Sequence, residues 1–116
     1  MTSSCIFCKI IAGTAPAEIL YRDDQAVAFR DIRPAAPVHI LVVPIRHIVS
    51  VNELDPQDES LVGHLFSIAC QVAGQAGIGR TGYRCIINTG PDSGQAVFHL
   101  HLHVIGGRRM HTLTGA

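Results

Sequence analysis

The run Val97-Phe98-His99-Leu100-His101-Leu102-His103-Val104-Ile105 sets three histidines at alternate positions with apolar residues between them. Period-two alternation is the signature of a β-strand, whose successive side chains point to opposite faces. Leu100, Leu102 and Val104 are therefore expected in a core. His99, His101 and His103 are expected on the other face, spaced roughly 7 Å apart at about 3.3 Å rise per residue. A chain carrying this strand must build a sheet with one apolar face and one chemically active face. Imidazole, with an unperturbed pKa of about 6.5, can serve near neutral pH as nucleophile, acid or metal ligand.

The remaining segments supply partners for that strand. Ser4 is placed to cap a short helix through Phe7-Cys8-Lys9-Ile10-Ile11, stopped by Gly13 and Pro16. Glu18-Ile19-Leu20-Tyr21 and Ala26-Val27-Ala28-Phe29 read as strands joined by a turn at Asp23-Asp24. Pro34 and Pro37 mark a loop, and His39-Ile40-Leu41-Val42-Val43, ended by Pro44, reads as a buried central strand. A long helix is expected to begin at Asp55-Pro56, with Leu61, Leu65, Ile68, Ala69 and Val72 forming one apolar stripe and Gly74, Gly77 and Gly79 ending it. Tyr83-Arg84-Cys85-Ile86-Ile87-Asn88 is a fourth strand. The connection Gly90-Pro91-Asp92-Ser93-Gly94 is short enough to join it to the histidine strand antiparallel. The order predicts an α+β fold: a five-stranded antiparallel sheet with one long and one short helix, in a single domain over residues 1–116.

Composition narrows the function classes. Of the 116 residues, 47% are hydrophobic and 16% charged, which describes a globular chain. Nine basic residues balance nine acidic ones, so the surplus needed to grip nucleic-acid phosphates is absent. Met1-Thr2-Ser3-Ser4-Cys5 lacks the features of a secretory signal, and no run reaches the ~18 apolar residues of a membrane span. The expectation is a cytoplasmic protein with no membrane partner, whose four cysteines are thiols or metal ligands. Cys70 and Cys85, in apolar patterns, are expected to be buried thiols. Cys5 and Cys8 have a chelating spacing, which alone is half a metal site.

Three chemistries fit the alternating histidines: a histidine-rich polar face of an edge sheet, a metal site, or nucleophilic catalysis in which one imidazole attacks and its neighbours orient it. The preceding loop, Thr89-Gly90-Pro91-Asp92-Ser93-Gly94-Gln95-Ala96, lets backbone N–H groups approach an anion, which suits phosphate chemistry.

The run His99-Leu100-His101-Leu102-His103-Val104-Ile105 matches the signature of the histidine triad superfamily. Cys5-Ile6-Phe7-Cys8-Lys9-Ile10, Ala28-Phe29-Arg30-Asp31-Ile32, Ala36-Pro37-Val38-His39, Pro44-Ile45-Arg46-His47 and Gly106-Gly107-Arg108 resemble its nucleotide-binding branch. The resemblance implies a homodimer in which two sheets join into a ten-stranded sheet. It also implies a purine nucleoside monophosphate or its phosphoramidate as ligand, and hydrolysis at the α-phosphate through a covalent nucleotidyl-histidine. It makes His101 the nucleophile and sets His103 at the phosphate and the leaving group. A backbone carbonyl or His39, on a neighbouring strand, would orient His101.

By the same resemblance Asp31 accepts the ribose hydroxyls, Phe29 and Ile32 form a slot for the base, and Asn88 contacts ribose and phosphate. Gly94, Gln95 and Ala96 approach the α-phosphate. Cys5, Cys8, His47 and His99 would hold a structural zinc that braces His99 beside the nucleophile. Ala96 departs from relatives with a hydroxyl at that position, and Met110-His111-Thr112-Leu113 lacks a tryptophan that relatives carry. His64 and His111 are expected outside the chemistry. The implied activity is hydrolysis of the P–N bond of nucleoside phosphoramidates. The alternatives are a dinucleoside polyphosphate hydrolase and a nucleotide-binding regulatory partner with little turnover.

Overall fold

A computed structural model describes residues 4–112 of the chain; Met1 to Ser3 and Leu113 onward lie outside it. The elements are helix α1 (Ile6–Ala12), strands β1 (Ile19–Arg22), β2 (Ala26–Arg30) and β3 (Val38–Pro44), helix α2 (Glu59–Gln75), and strands β4 (Tyr83–Ile86) and β5 (Leu102–Gly106). The strands form one antiparallel sheet in the order β1-β2-β3-β5-β4. The α+β expectation holds. Among the described residues, no helix is long and apolar enough to cross a membrane.

Helices cover both faces of the sheet. Ala26, Ala28, Ile40, Val42, Leu102 and Val104 pack with Leu65, Ile68 and Val72 of α2 in one core. Val27, Phe29, Leu41 and Val43 point the other way and meet Phe7 and Ile11 of α1. Strand β3 is third in the order and buried on both faces, which explains its unbroken apolar run.

Local signals set most boundaries. The long helix is announced at Asp55, whose carboxylate accepts the Gln57 N–H, while Asp58 accepts the Asp55 N–H in return. That first turn is a 3-10 helix over Pro56–Asp58, and α2 proper starts at Glu59. The short helix is capped by Cys5 and not by the expected Ser4: the Cys5 Sγ accepts the Cys8 N–H at 3.4 Å. Gly13 ends it in the left-handed region at φ 80°.

The histidine strand begins later than its alternation predicts. Pairing with β3 runs from Val38 opposite Gly106 to Val42 opposite Leu102. Continuing that register would set Pro44, which has no N–H to give, opposite Leu100. The Leu100 N–H bonds the Ile48 carbonyl instead, at 2.6 Å. The side chains still alternate, because Leu100 joins the α2 core while Phe7 meets the rings of His99 and His101. Strand β4 likewise stops at Ile86, short of Asn88.

Cys70 and Cys85 are exposed, contrary to the buried thiols expected. Cys70 lies off the stripe that α2 buries, and Cys85 sits on the edge strand. An apolar neighbourhood in the sequence does not show which face a residue takes.

Leu65 is fully buried between α2 and the sheet. Leu65→Ala is expected to lower unfolding free energy by about 2–5 kcal/mol, read from the midpoint of a urea titration.

Candidate active site

A cleft of about 640 Å³ opens on the α1 side of the sheet, within the usual size for small-molecule sites. Phe29, Asp31, Ile32, Asn88, Gly94, Ala96, His101 and His103 line it. Its apolar wall was not foreseen. Ile6, Phe7 and Ile10 of α1 and Ala17 after it face Phe29 and Leu41. The Phe7 ring stands edge-on to His101 at 5.1 Å and to Phe29 at 5.4 Å. The signal available was the helical spacing of Ile6, Phe7 and Ile10, which reads equally as ordinary core.

The hydrogen bonds fix where each imidazole carries its proton. His101 Nδ1 lies 2.8 Å from the His99 carbonyl oxygen, which can only accept. Nδ1 therefore carries the hydrogen, and in the neutral ring Nε2 holds a free lone pair. A backbone carbonyl, and not His39, thus orients His101. His99 has the opposite tautomer, since its Nε2 donates to the Pro44 carbonyl at 2.8 Å and its Nδ1 is left with a lone pair.

His39 and His103 form a second chain. The Ala35 N–H donates to His39 Nδ1 at 3.0 Å, so the His39 proton sits on Nε2. That Nε2 lies 2.8 Å from His103 Nδ1, with Asp31 Oδ2 at 3.5 Å beside it. His103 Nδ1 accepts, and its own proton falls on Nε2. One cleft-lining imidazole therefore offers a lone pair and its neighbour, with ring centroids 4.9 Å apart, offers a proton.

Desolvation keeps these rings neutral. Burial pushes His101 below the ordinary imidazole range, against the pull of the His99 carbonyl and the Asp31 charge. Burial also lowers His39, with Asp31 pulling back. His103 falls to about 4, through burial first and then through the repulsion its neighbours His101 and His39 would exert on a second charge.

His99 does not reach the cleft; it is fully buried and turned toward α1. Its Nδ1 lies 3.4 Å from Cys5 Sγ, 3.6 Å from Cys8 Sγ and 3.2 Å from His47 Nδ1. Cys8 Sγ is 3.3 Å from His47 Nδ1, and all four ligand atoms lie within 4.8 Å of one another. A tetrahedral ion with zinc-like bond lengths has N···N and N···S edges of about 3.3 and 3.6 Å. The gaps match those edges, so these residues can hold a metal ion.

Asp31, His39 and His103 also cluster within ligand distance. Their 2.8 Å N···N contact is shorter than a metal edge, and the tautomers place a proton in it. This second group is a hydrogen-bond chain.

The loop before His99 is shaped by two glycines in the left-handed region, Gly90 at φ 81° and Gly94 at φ 84°. Gln95 does not line the cleft as expected. Its amide is spent on the loop itself, accepting the Gly90 N–H at 2.9 Å and donating to the Val49 and Val97 carbonyls at 2.8 and 3.1 Å. Gln95 braces the loop from behind, and Gly94 and Ala96 form the surface that faces the cleft. His64, on α2, bonds Asp23 at the β1–β2 turn, away from the cleft.

A family model of the HIT domain matches residues 12–110. The chain belongs to this family, the histidine triad proteins. It is 44% identical over 108 residues to the purine nucleoside phosphoramidase of Escherichia coli K12, covering 93% of this chain and 91% of that enzyme. A HIT family hydrolase from Clostridium thermocellum superposes with a TM-score of 0.95 at 41% identity, covering 98% of this chain and 99% of that one. A zinc-bound histidine triad family protein from Mycobacterium smegmatis superposes with a TM-score of 0.79 at 34% identity, covering 97% and 81%.

His103 takes up its proton near pH 4 in the folded chain and near 6.5 when unfolded. The unfolded state therefore binds more protons between those values. The stability from burying neutral His103 is present above about pH 6.5 and is lost as pH falls toward 4. Urea midpoints at pH 7.5 and 5 are expected to differ more for the parent protein than for His103→Gln.

Proposed function

We propose that the chain is a purine nucleoside phosphoramidate hydrolase working through a nucleotidyl-histidine. The observation that carries this reading is the His101 tautomer: the proton is held on Nδ1 by the His99 carbonyl, leaving an Nε2 lone pair in the cleft. The 44% identity to the E. coli phosphoramidase supports the substrate class.

In this mechanism His101 Nε2 attacks the α-phosphorus while the P–N bond breaks. The departing nitrogen takes a proton from solvent and leaves as the neutral amine, while the His103 Nε2–H donates a hydrogen bond to the phosphoryl oxygens. A water then attacks phosphorus, its proton passing to solvent, and the bond between phosphorus and His101 Nε2 breaks to release the nucleoside monophosphate and the neutral imidazole. Imidazole leaves well because nothing in the site forces it to remain anionic: the Nδ1 proton neutralises it. The neutral histidines are suited to these roles, since burial keeps the nucleophile unprotonated.

Asp31 is assigned to the ribose hydroxyls. Its Oδ1 already accepts the Arg33 N–H at 2.9 Å, and a carboxylate has further lone pairs to offer. Phe29 and Ile32, with the α1 wall, are assigned to the base, and Asn88, Gly94 and Ala96 to the phosphate and ribose. Ala96 has only its backbone N–H to give, so one phosphate bond made by a hydroxyl in relatives is missing.

Zinc is the ion proposed for Cys5, Cys8, His47 and His99, supported by the matching edges and by the zinc-bound Mycobacterium smegmatis relative. It would supply a structural tie. These residues hold His99, whose carbonyl in turn holds the nucleophile.

We take the chain as one histidine triad domain, cytoplasmic, and a homodimer. Among the described residues β1 and β4 are the edge strands of the sheet, and Phe66 and Cys70 of α2 lie exposed like Cys85 of β4. Pairing through the β4 edge would continue the sheet into the partner.

Incubation with adenosine monophosphoramidate is expected to give steady release of AMP, with little turnover of diadenosine polyphosphates. His101→Ala should lose at least about a thousandfold in kcat. Preferred cleavage of the polyphosphates would move the chain to the alternative hydrolase class, and no turnover of either would favour a binding role. Elemental analysis of protein purified without added metal is expected to find close to one zinc per chain, falling sharply in a Cys5→Ser, Cys8→Ser double variant.

A further inference from the structure

The proton on His103 is set by His39, and His39 is set by the backbone of Ala35. Ala35 lies in the loop between β2 and β3. That loop is closed at its base by the Asp31 N–H on the His39 carbonyl, at 3.0 Å. Near its tip, the Ala35 carbonyl accepts from Arg108 Nη2 at 2.9 Å. Ala35 is thus held from both sides, by Arg108 at its carbonyl and by His39 at its N–H.

Arg108 reaches Ala35 only because the chain after β5 passes very close to the loop. Gly107 adopts φ +95°, and a Cβ on it would sit 2.9 Å from the Pro37 Cβ. A Cβ on Gly106 would sit 2.8 Å from Ile78 Cδ1 and 3.1 Å from the Gly82 carbonyl. A side chain at Gly107 would be strained and would collide with Pro37, one at Gly106 would force Ile78 and the Gly82 carbonyl to shift, and the third position delivers a guanidinium to a backbone oxygen. The Gly106-Gly107-Arg108 sequence is therefore a strap from the end of β5 to the loop that carries the Ala35 N–H.

We propose that Arg108 is a positioning residue for the reaction: by pinning Ala35 it keeps His39 in the Nε2–H tautomer, which keeps the His103 proton on Nε2, toward the substrate. It touches neither substrate nor the reacting atoms. With Ala35 free to move, His39 loses the N–H facing its Nδ1. The ring can then place its proton on Nδ1 and leave Nε2 without one, and His103 no longer has a donor fixing its Nδ1 as the acceptor. The inference rests on the hydrolase reading for its kinetic consequence only; the tautomers can be measured without substrate.

The test is long-range proton–nitrogen NMR of the imidazoles in the full-length parent, Arg108→Ala, Arg108→Lys and Arg109→Ala proteins. The parent and Arg109→Ala are expected to show His39 and His103 protonated at Nε2. Arg108→Ala should show averaged nitrogen shifts for both rings with the His101 pattern unchanged. Arg108→Lys, which can still donate to a carbonyl, should return most of the parent pattern. With phosphoramidate substrate, Arg108→Ala is expected to lose roughly tenfold in kcat, part of the roughly 10²–10³-fold that one donor aimed at transition-state charge supplies, at nearly constant KM. In a His39→Gln background the same substitution should cost nothing further, since the two act in series.

Unchanged His39 and His103 tautomers in Arg108→Ala overturn the proposal, as does an equal kcat loss from Arg108→Ala with and without His39. Should Arg108→Ala fold poorly, Arg108→Gln carries the same test with a shorter donor. A parent protein that turns over no phosphoramidate defeats the hydrolase reading, while the NMR result still decides the strap.

Discussion

Two backbone carbonyls, those of Pro44 and His99, determine what the buried imidazoles can do. A carbonyl oxygen accepts and never donates, so the nitrogen facing it must carry hydrogen. At His99 this frees Nδ1 for the cysteine cluster, and at His101 it frees Nε2 for the cleft. The two are linked in series, because the oxygen that directs His101 belongs to the residue whose ring is anchored on Pro44. A proline at the end of β3 stops the sheet ladder and leaves its own carbonyl to serve a side chain.

Burial then makes those assignments durable. Histidines exposed to water exchange tautomers and take up protons near neutrality. Here His39, His101 and His103 are held below the usual imidazole range by desolvation, so all three stay neutral at pH 7. Neutral rings in contact do not repel one another, and each can be both donor and acceptor. The arrangement gives up acid stability, since protonating any of these rings is easier in the unfolded chain.

The alternation of histidine with leucine made the strand face legible, and the apolar run of β3 made its central place legible. Those are local patterns that tertiary structure leaves intact. The start of β5 was not legible, because it depends on which residue of β3 stands opposite, and a proline there ends the ladder. Cys70 and Cys85 were misjudged for a related reason: burial depends on what covers a face. The His99 carbonyl that orients His101 and the amide bonds of Gln95 to Gly90, Val97 and the distant Val49 depend on how the backbone turns, which residue spacing does not encode. The apolar wall from α1 was visible as a helix but not as a binding surface, since Phe7 and Ile10 have the same spacing either way.

The sulfur of Cys5 performs two tasks with one atom. It receives the Cys8 N–H at the start of α1, and it faces His99 Nδ1 in the four-residue cluster. A helix of seven residues is too short to persist in water by its own hydrogen bonds. It is seated on the sheet by the packing of Phe7 and Ile11 and, at its N-cap, by the same sulfur that faces the histidine segment. The aromatic and aliphatic side chains that α1 sets over the cleft therefore share an anchor with the nucleophile. Whatever loosens that knot slackens the roof of the site and its reacting ring together.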